Sequence, residues 1–149
     1  KINIAAGGAG IATFLYFAKK YPEKVADIFL GIPGCGYEKY AARISELIPK
    51  VRIFTDDGTF GEGNSMFKVL PKGLGESDKI WSCGPPGFLK ALKKHYEDEP
   101  DKLYFSLDKR MACGYGGCMG CVVETVNGQK RLCADQSLFR ADEVTDYGN

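Results

Sequence analysis

Histidine is almost missing from this sequence: His95 is the single one among 149 residues. It sits in a charged Lys93-Lys94-His95 stretch that reads as a solvated helix end, and no Ser/His/Asp arrangement is visible anywhere. An excess of one charge is missing too. There are 20 basic and 19 acidic residues, for a net charge of +1. Such a balance leaves no electrostatic footprint for nucleic acid or an anionic membrane. Long apolar runs are also lacking. The nearest is "INIAAGGAGIATFLYFA" at 2–18. A single leading Lys and an interrupting glycine cluster exclude a signal peptide, and the run is too short and broken to span a membrane. Repeats and low-complexity tracts are absent. What remains is a chain that is 44% hydrophobic, enough for one ordinary domain or one domain with a small appendage.

The first hundred residues alternate between strand-like and helix-like segments. Strands are expected at 1–6, 25–31, 51–55, 79–83 and 102–107. Helices are expected at 11–20, where Ile11, Phe14, Leu15 and Ala18 share a face, at 37–48, and at 86–97. A shorter helix is expected at 64–70. Five short apolar strands interleaved with helices predict an α/β fold, with a five-stranded parallel sheet covered on both faces. Near residue 108 the pattern changes to glycine and cysteine. The apolar runs 121–126 and 130–133 flank "NG" at 127–128, a hairpin signal. The expected division is therefore 1–108 for the parallel-sheet domain and 109–149 for a small antiparallel lobe.

Cysteine is present where it counts. Six in this length is not the density of a disulfide scaffold. Cys118 and Cys121 are also too close to close a useful loop. A reducing, cytosolic compartment follows as an expectation. Cys113, Cys118, Cys121 and Cys133 read C-x4-C-x2-C-x11-C, a plant-type [2Fe–2S] spacing. Three thiols must converge from one loop, and the fourth returns from the far strand of the hairpin. Gly114, Gly116, Gly117 and Gly120 let that loop wrap closely, with Tyr115 and Met119 as its lids. A structural zinc site is the competing reading, but zinc modules usually present two C-x2-C knuckles, and here Cys118/Cys121 forms one while Cys133 stands apart.

Other loops carry weaker signals. "AAGGAGIA" at 5–12 follows a strand and opens a helix, a phosphate-binding arrangement. Gly8 and Gly10 fit G-x-G-x-x-G, but Thr13 stands at its third glycine, and Leu30 and Gly31 occupy the place of the usual acidic residue. Cys83, with Gly84, ends the fourth strand, where ligands bind in open parallel sheets; a buried strand-end thiol is the plain alternative. Asp56-Asp57-Gly58 after the third strand reads as turn chemistry. Cys35, in "GIPGCGY", reads as an incidental thiol.

In order, the glycine turn, "TDDGTFGEGN", "CGPPGFLKAL", "SLDKRMACGYGGCMGC" and a last Cys before "FRADEV" resemble the electron transfer subunits of dihydroorotate dehydrogenase B. These belong to the ferredoxin–NADP reductase-like flavoproteins. The resemblance covers nearly the whole chain and is most specific at 106–121. It implies an NAD-binding domain followed by a [2Fe–2S] domain. It also implies a partner, an FMN-containing dihydroorotate dehydrogenase catalytic subunit joined in a heterotetramer, whose electrons pass through the cluster to FAD and then NAD+. By the same resemblance, Cys113, Cys118, Cys121 and Cys133 ligate the cluster. Gly8, Gly10 and Thr13 lie near nucleotide phosphates, and Thr55 and Asp56 line the nicotinamide-nucleotide cleft. Cys83 and Gly84 face the nicotinamide–flavin contact as the catalytic pair.

Three features depart from that family. Its FAD-binding β-barrel is expected before residue 1, so the chain is expected to be the C-terminal portion of a longer protein, binding FAD poorly alone. "GIPGCGYEKY" at 31–40 replaces a basic G-x-R stretch. "CADQSLF" at 133–139 replaces a C-x-(D/N)-G-P-x-F ending. Two other functions compete: the same relay with a different partner, as in sulfide dehydrogenase or ferredoxin–NADP reductase subunits, and a non-enzymatic zinc-stabilised interaction module. Cys113 favours the pyrimidine-pathway family, because the other relays often carry Asp there.

Overall fold

A computed structural model describes residues 1–63 and 65–147. The sheet has six strands, in the order β3-β2-β1-β4-β5-β8. They are β1 (Ile2–Gly7), β2 (Val25–Ile32), β3 (Val51–Thr55), β4 (Lys79–Cys83), β5 (Leu103–Ser106) and β8 (Leu138–Arg140). The first five pair in parallel, as their apolar runs and helical crossovers predict. The sixth corrects the five-strand expectation. β8 pairs antiparallel with β5, placing Phe105 opposite Phe139. Three residues are too few for an alternating pattern, so "LFR" carries no strand signal of its own. Its place is set by Phe139, which is 1% exposed.

Helices α1 (Ala12–Lys20) and α2 (Glu38–Leu47) cover one face of the sheet, while α3 (Pro86–His95) lies on the other. Phe14, Ala18, Ala41 and Ile44 pack with Ile4, Ile28 and Leu30 in the first layer. Leu89, Leu92 and Tyr96 pack with Ala5, Phe29, Ile80 and Phe105 in the second. Alternate strand residues thus feed opposite layers. Pro86 opens α3, where its missing N–H costs nothing. The expected helix at 64–70 is a single 3-10 turn, Met66–Lys68, and Asn64 lies outside the described residues. His95 corrects the solvated reading of its helix end. Its ring meets Phe67 and Tyr96 edge-on, and its Nε2 is buried.

The C-terminal lobe adds a two-stranded hairpin, β6 (Val122–Thr125) and β7 (Gly128–Arg131). Its turn comes one residue earlier than "NG" suggests, on Val126-Asn127, because Thr125 pairs with Gly128. Gly128 takes φ 91°, and Thr125 Oγ1 donates to its carbonyl at 2.6 Å. A glycine in the left-handed region after a tight turn lets the strands keep their twist. The expected boundary at 108 is not a break in the core. Cys121, Val123, Leu132, Phe139, Ala141 and Val144 belong to the same buried layer as α3. Residues 148–149 of the expected lobe lie outside the described residues.

Candidate functional site

The four clustered cysteines lie in the segment between β5 and β8. All are free thiols; Cys121 is buried, Cys113 and Cys133 half-buried, and Cys118 exposed. They come together in two pairs. The Cys118 N–H donates to Cys113 Sγ at 3.4 Å, and the Gly120 N–H donates to Cys118 Sγ at 3.4 Å. Cys121 Sγ and Cys133 Sγ lie 3.3 Å apart in a thiol–thiol hydrogen bond. Among the described residues no three His, Cys, Asp or Glu side chains converge as a single-ion site would require. Backbone N–H groups, Tyr115 first and then Cys118, hold the Cys113 thiol down to about 6, so it ionises readily, as a metal ligand must. In the second pair the Cys133 backbone N–H lowers Cys121, while the Cys121 side chain raises Cys133.

The loop is held by residues that spacing could not reveal. Arg131, at the end of β7, makes a bidentate pair with Asp135 at 2.8 and 2.7 Å. Its third nitrogen donates to the Gly116 carbonyl at 2.9 Å. The Arg131 N–H also donates to Asp135 Oδ2 at 2.8 Å, closing the turn that carries Cys133. This turn lies where the Gly-Pro ending is replaced: "ADQS" supplies a carboxylate instead. Met119 stands in the left-handed region at φ 59°, where a side chain is rarely found. Met111, Tyr115 and Met119 are exposed.

At the C-terminal ends of the parallel strands lie two adjoining clefts. The larger, of about 910 Å³, takes in Gly8, Tyr37, Tyr40, Thr55, Asp56, Asp57 and Phe88. The smaller, of about 550 Å³, lies over the switch between β1 and β4, with Gly10, Thr13, Cys83, Gly84, Asp108 and Tyr147. The expected nucleotide residues therefore divide between two spaces. Residues 7–9 and Pro85 are common to both.

Gly10 serves close packing. A Cβ there would collide with the Cys83 carbonyl, so the glycine turn is free to press on the end of β4. Cys83 is 7% exposed, and the Thr13 hydroxyl donates to its Sγ at 3.5 Å. Burial pushes its thiol up, more than that hydroxyl lowers it. Burial thus favours the neutral thiol. Thr55 Oγ1 donates to the Phe60 carbonyl at 2.8 Å, folding the 55–60 loop beside the larger cleft. Asp57, read from sequence as turn chemistry, also ties that loop to its neighbour. It accepts from the Cys35 N–H at 2.8 Å and from the Thr59 hydroxyl at 2.7 Å. These bonds, Cys35 first, keep its carboxyl low. Tyr40 donates to the Gly8 carbonyl at 3.0 Å and fixes α2 against the glycine turn.

Residues 108–145 match the iron–sulfur cluster binding domain of dihydroorotate dehydrogenase B. The chain is 33% identical over 148 residues to the dihydroorotate dehydrogenase B (NAD(+)) electron transfer subunit of Caldanaerobacter subterraneus subsp. tengcongensis, covering 97% of this chain and 59% of that protein. The subunit of the same name from Listeria monocytogenes is 34% identical, covering 93% and 55%. The chain is thus similar to the dihydroorotate dehydrogenase B electron transfer subunits over nearly its whole length. It spans a little over half the length of these relatives. The structure of the NADH-dependent reduced ferredoxin–NADP oxidoreductase superposes on 98% of this chain and 52% of its own, at 27% identity and a TM-score of 0.65. A flavohemoglobin from Malassezia yamatoensis shares the fold, with TM-score 0.51 at 16% identity over 70% of this chain and 30% of its own. The arrangement described here is thus that of ferredoxin reductase-like folds joined to a cysteine lobe.

Proposed function

We propose that this chain is part of an oxidoreductase electron-transfer subunit that carries electrons between a [2Fe–2S] cluster and a pyridine nucleotide. Cys113, Cys118, Cys121 and Cys133 hold the cluster. When bound, the cluster supplies one-electron transfer, and FAD couples that to two-electron hydride chemistry. The observation that carries the reading is the grouping of the four thiols, Cys113 with Cys118 and Cys121 with Cys133. Two thiols per metal suit a two-iron core. The N–H groups of Cys118 and Gly120 aim at sulfur, as they would to stabilise charge on cluster thiolates.

The two clefts take the nucleotides. Gly8, Gly10, Thr13, Thr55 and Asp56 would hold NAD, and Cys83 and Gly84 would face the contact at which NAD and FAD exchange hydride. FAD is held mostly by a domain outside this chain. The electron donor is an FMN-containing catalytic subunit that oxidises dihydroorotate for pyrimidine biosynthesis, joined with this subunit in a heterotetramer in the cytoplasm. No helix among the described residues is long and apolar enough to cross a membrane.

Anaerobic purification tests the reading. The protein is expected to be red-brown, with visible absorbance bleached by dithionite. Cys118→Ser is expected to abolish the colour. A colourless protein with stoichiometric zinc overturns the proposal.

A further inference from the structure

The hairpin of the cysteine lobe holds two thiols in direct contact. Cys121 immediately precedes β6, and Cys133 follows β7 after Leu132. Their sulfurs lie 3.3 Å apart. Neither position is free to drift. The Leu132 N–H donates to the Cys121 carbonyl at 3.2 Å, which carries the strand pairing one step beyond Val122 and Arg131. The N–H groups of Ala134 and Asp135 donate to the Arg131 carbonyl at 3.2 and 2.8 Å, fixing the turn that carries Cys133. Access separates the two thiols: Cys121 is 3% exposed, whereas Cys133 is half-buried. Cys113 and Cys118 lie on the glycine loop between β5 and β6, outside any strand.

We propose that Cys121 and Cys133 form a reversible disulfide in the cluster-free chain, with a small-molecule disulfide such as oxidised glutathione as the oxidant. The sulfurs must close from 3.3 Å to about 2 Å, a distance that side-chain rotation covers. Cys133, the more accessible thiol, attacks one sulfur of the small disulfide, whose S–S bond breaks and releases one small thiol. Cys121 then attacks Cys133 Sγ and displaces the second. The protein loses two S–H bonds and gains one S–S bond. Its two protons and two electrons leave on the two small thiols. The consequence for the cluster rests on the reading above: the linked pair withdraws two of the four ligands, so the chain takes a cluster only after reduction. Disulfides of cytosolic proteins are usually transient and redox-sensing, which suits a pair that must reopen to bind metal.

The test uses the whole chain, stripped of metal by a chelator under reductant and then given oxidised glutathione without oxygen. Alkylation and non-reducing peptide mass mapping read the linkage. The expected product has one intrachain link, Cys121 to Cys133. Transfer of a preformed [2Fe–2S] cluster from a scaffold protein, read by the visible bands, is expected to be lost in the linked chain and restored by dithiothreitol. Cys118→Ser is expected to keep the link although it holds no cluster. In urea, where the hairpin is gone, links are expected to scatter over other pairs, because Cys113 and Cys118 close a shorter loop. A dominant link between any other two cysteines in the folded chain would overturn the inference and leave the cluster reading standing. So would a glutathione adduct on Cys133 that never resolves. The Cys121–Cys133 link as the single product in urea overturns the role of the hairpin. Cluster uptake by the linked chain without reductant overturns the control of assembly. A wild-type chain that forms the link yet never takes a cluster overturns the cluster reading alone.

Discussion

The parallel sheet and the cysteine lobe are built by different means. Around the sheet, two apolar layers do most of the work, and few polar contacts are needed inside them. The lobe has a two-stranded hairpin, a handful of buried side chains and a loop held by Arg131, Asp135 and sulfur-directed N–H groups. A two-stranded hairpin is marginal alone in water. The lobe is therefore expected to depend on the sheet through Phe139 and Val144, and on whatever its thiols hold. The sheet owes the lobe one thing in return, the covering of its β5 edge.

Substitutions can break this comparison. The largest effect is expected from Phe139→Ala, at the joint between the regions. A fully buried Phe truncated to Ala costs about 3–5 kcal/mol. If the regions fold as one unit, thermal unfolding monitored by circular dichroism should stay a single transition at lower temperature. Two separated transitions would show that the lobe is an attachment. Gly10→Ala comes next. Its Cβ would overlap the Cys83 carbonyl, so the glycine turn must move, at about 1–3 kcal/mol by analogy with overpacked cores. Its damage should fall on the sheet and its nucleotide cleft, leaving cluster absorbance intact in the folded fraction.

The smallest effect sharpens the contrast through pH. Arg131 holds the Asp135 carboxyl well below the usual carboxylate range. A carboxyl lowered in the folded state stabilises it above the unfolded pKa, and the benefit fades as pH falls through the folded value. Loss of the visible bands should therefore speed up modestly below about pH 4, near the unfolded carboxylate range. Asp135→Asn should be faster at neutral pH and flatter in its pH dependence. The sheet's far-ultraviolet signal should differ little between the two proteins.

Much of the sheet was legible because its signals are local. Short apolar strand runs, helical spacing and the turn after Thr55 each act within a few residues. The cysteine spacing was legible for the same reason. β8 was not, because three residues carry no period and its strand state comes from docking on β5. The hairpin turn was misplaced by one residue, since Asn-Gly also suits the position after a turn. Asp57 and Arg131 were missed, or read only as local turn chemistry, because each acts through a partner far along the chain. Only the fold brings Asp57 to Cys35, or Arg131 to Gly116.

The pairing of β8 with β5 also bears on how the chain is made. During synthesis β5 emerges well before β8, with the whole cysteine segment between them. Until β8 arrives, that edge presents unpaired backbone groups beside Phe105 and Leu107, and such an edge invites another chain to pair with it. A chain cut within the cysteine segment would thus hold out a sticky sheet edge, open to pairing with a second copy.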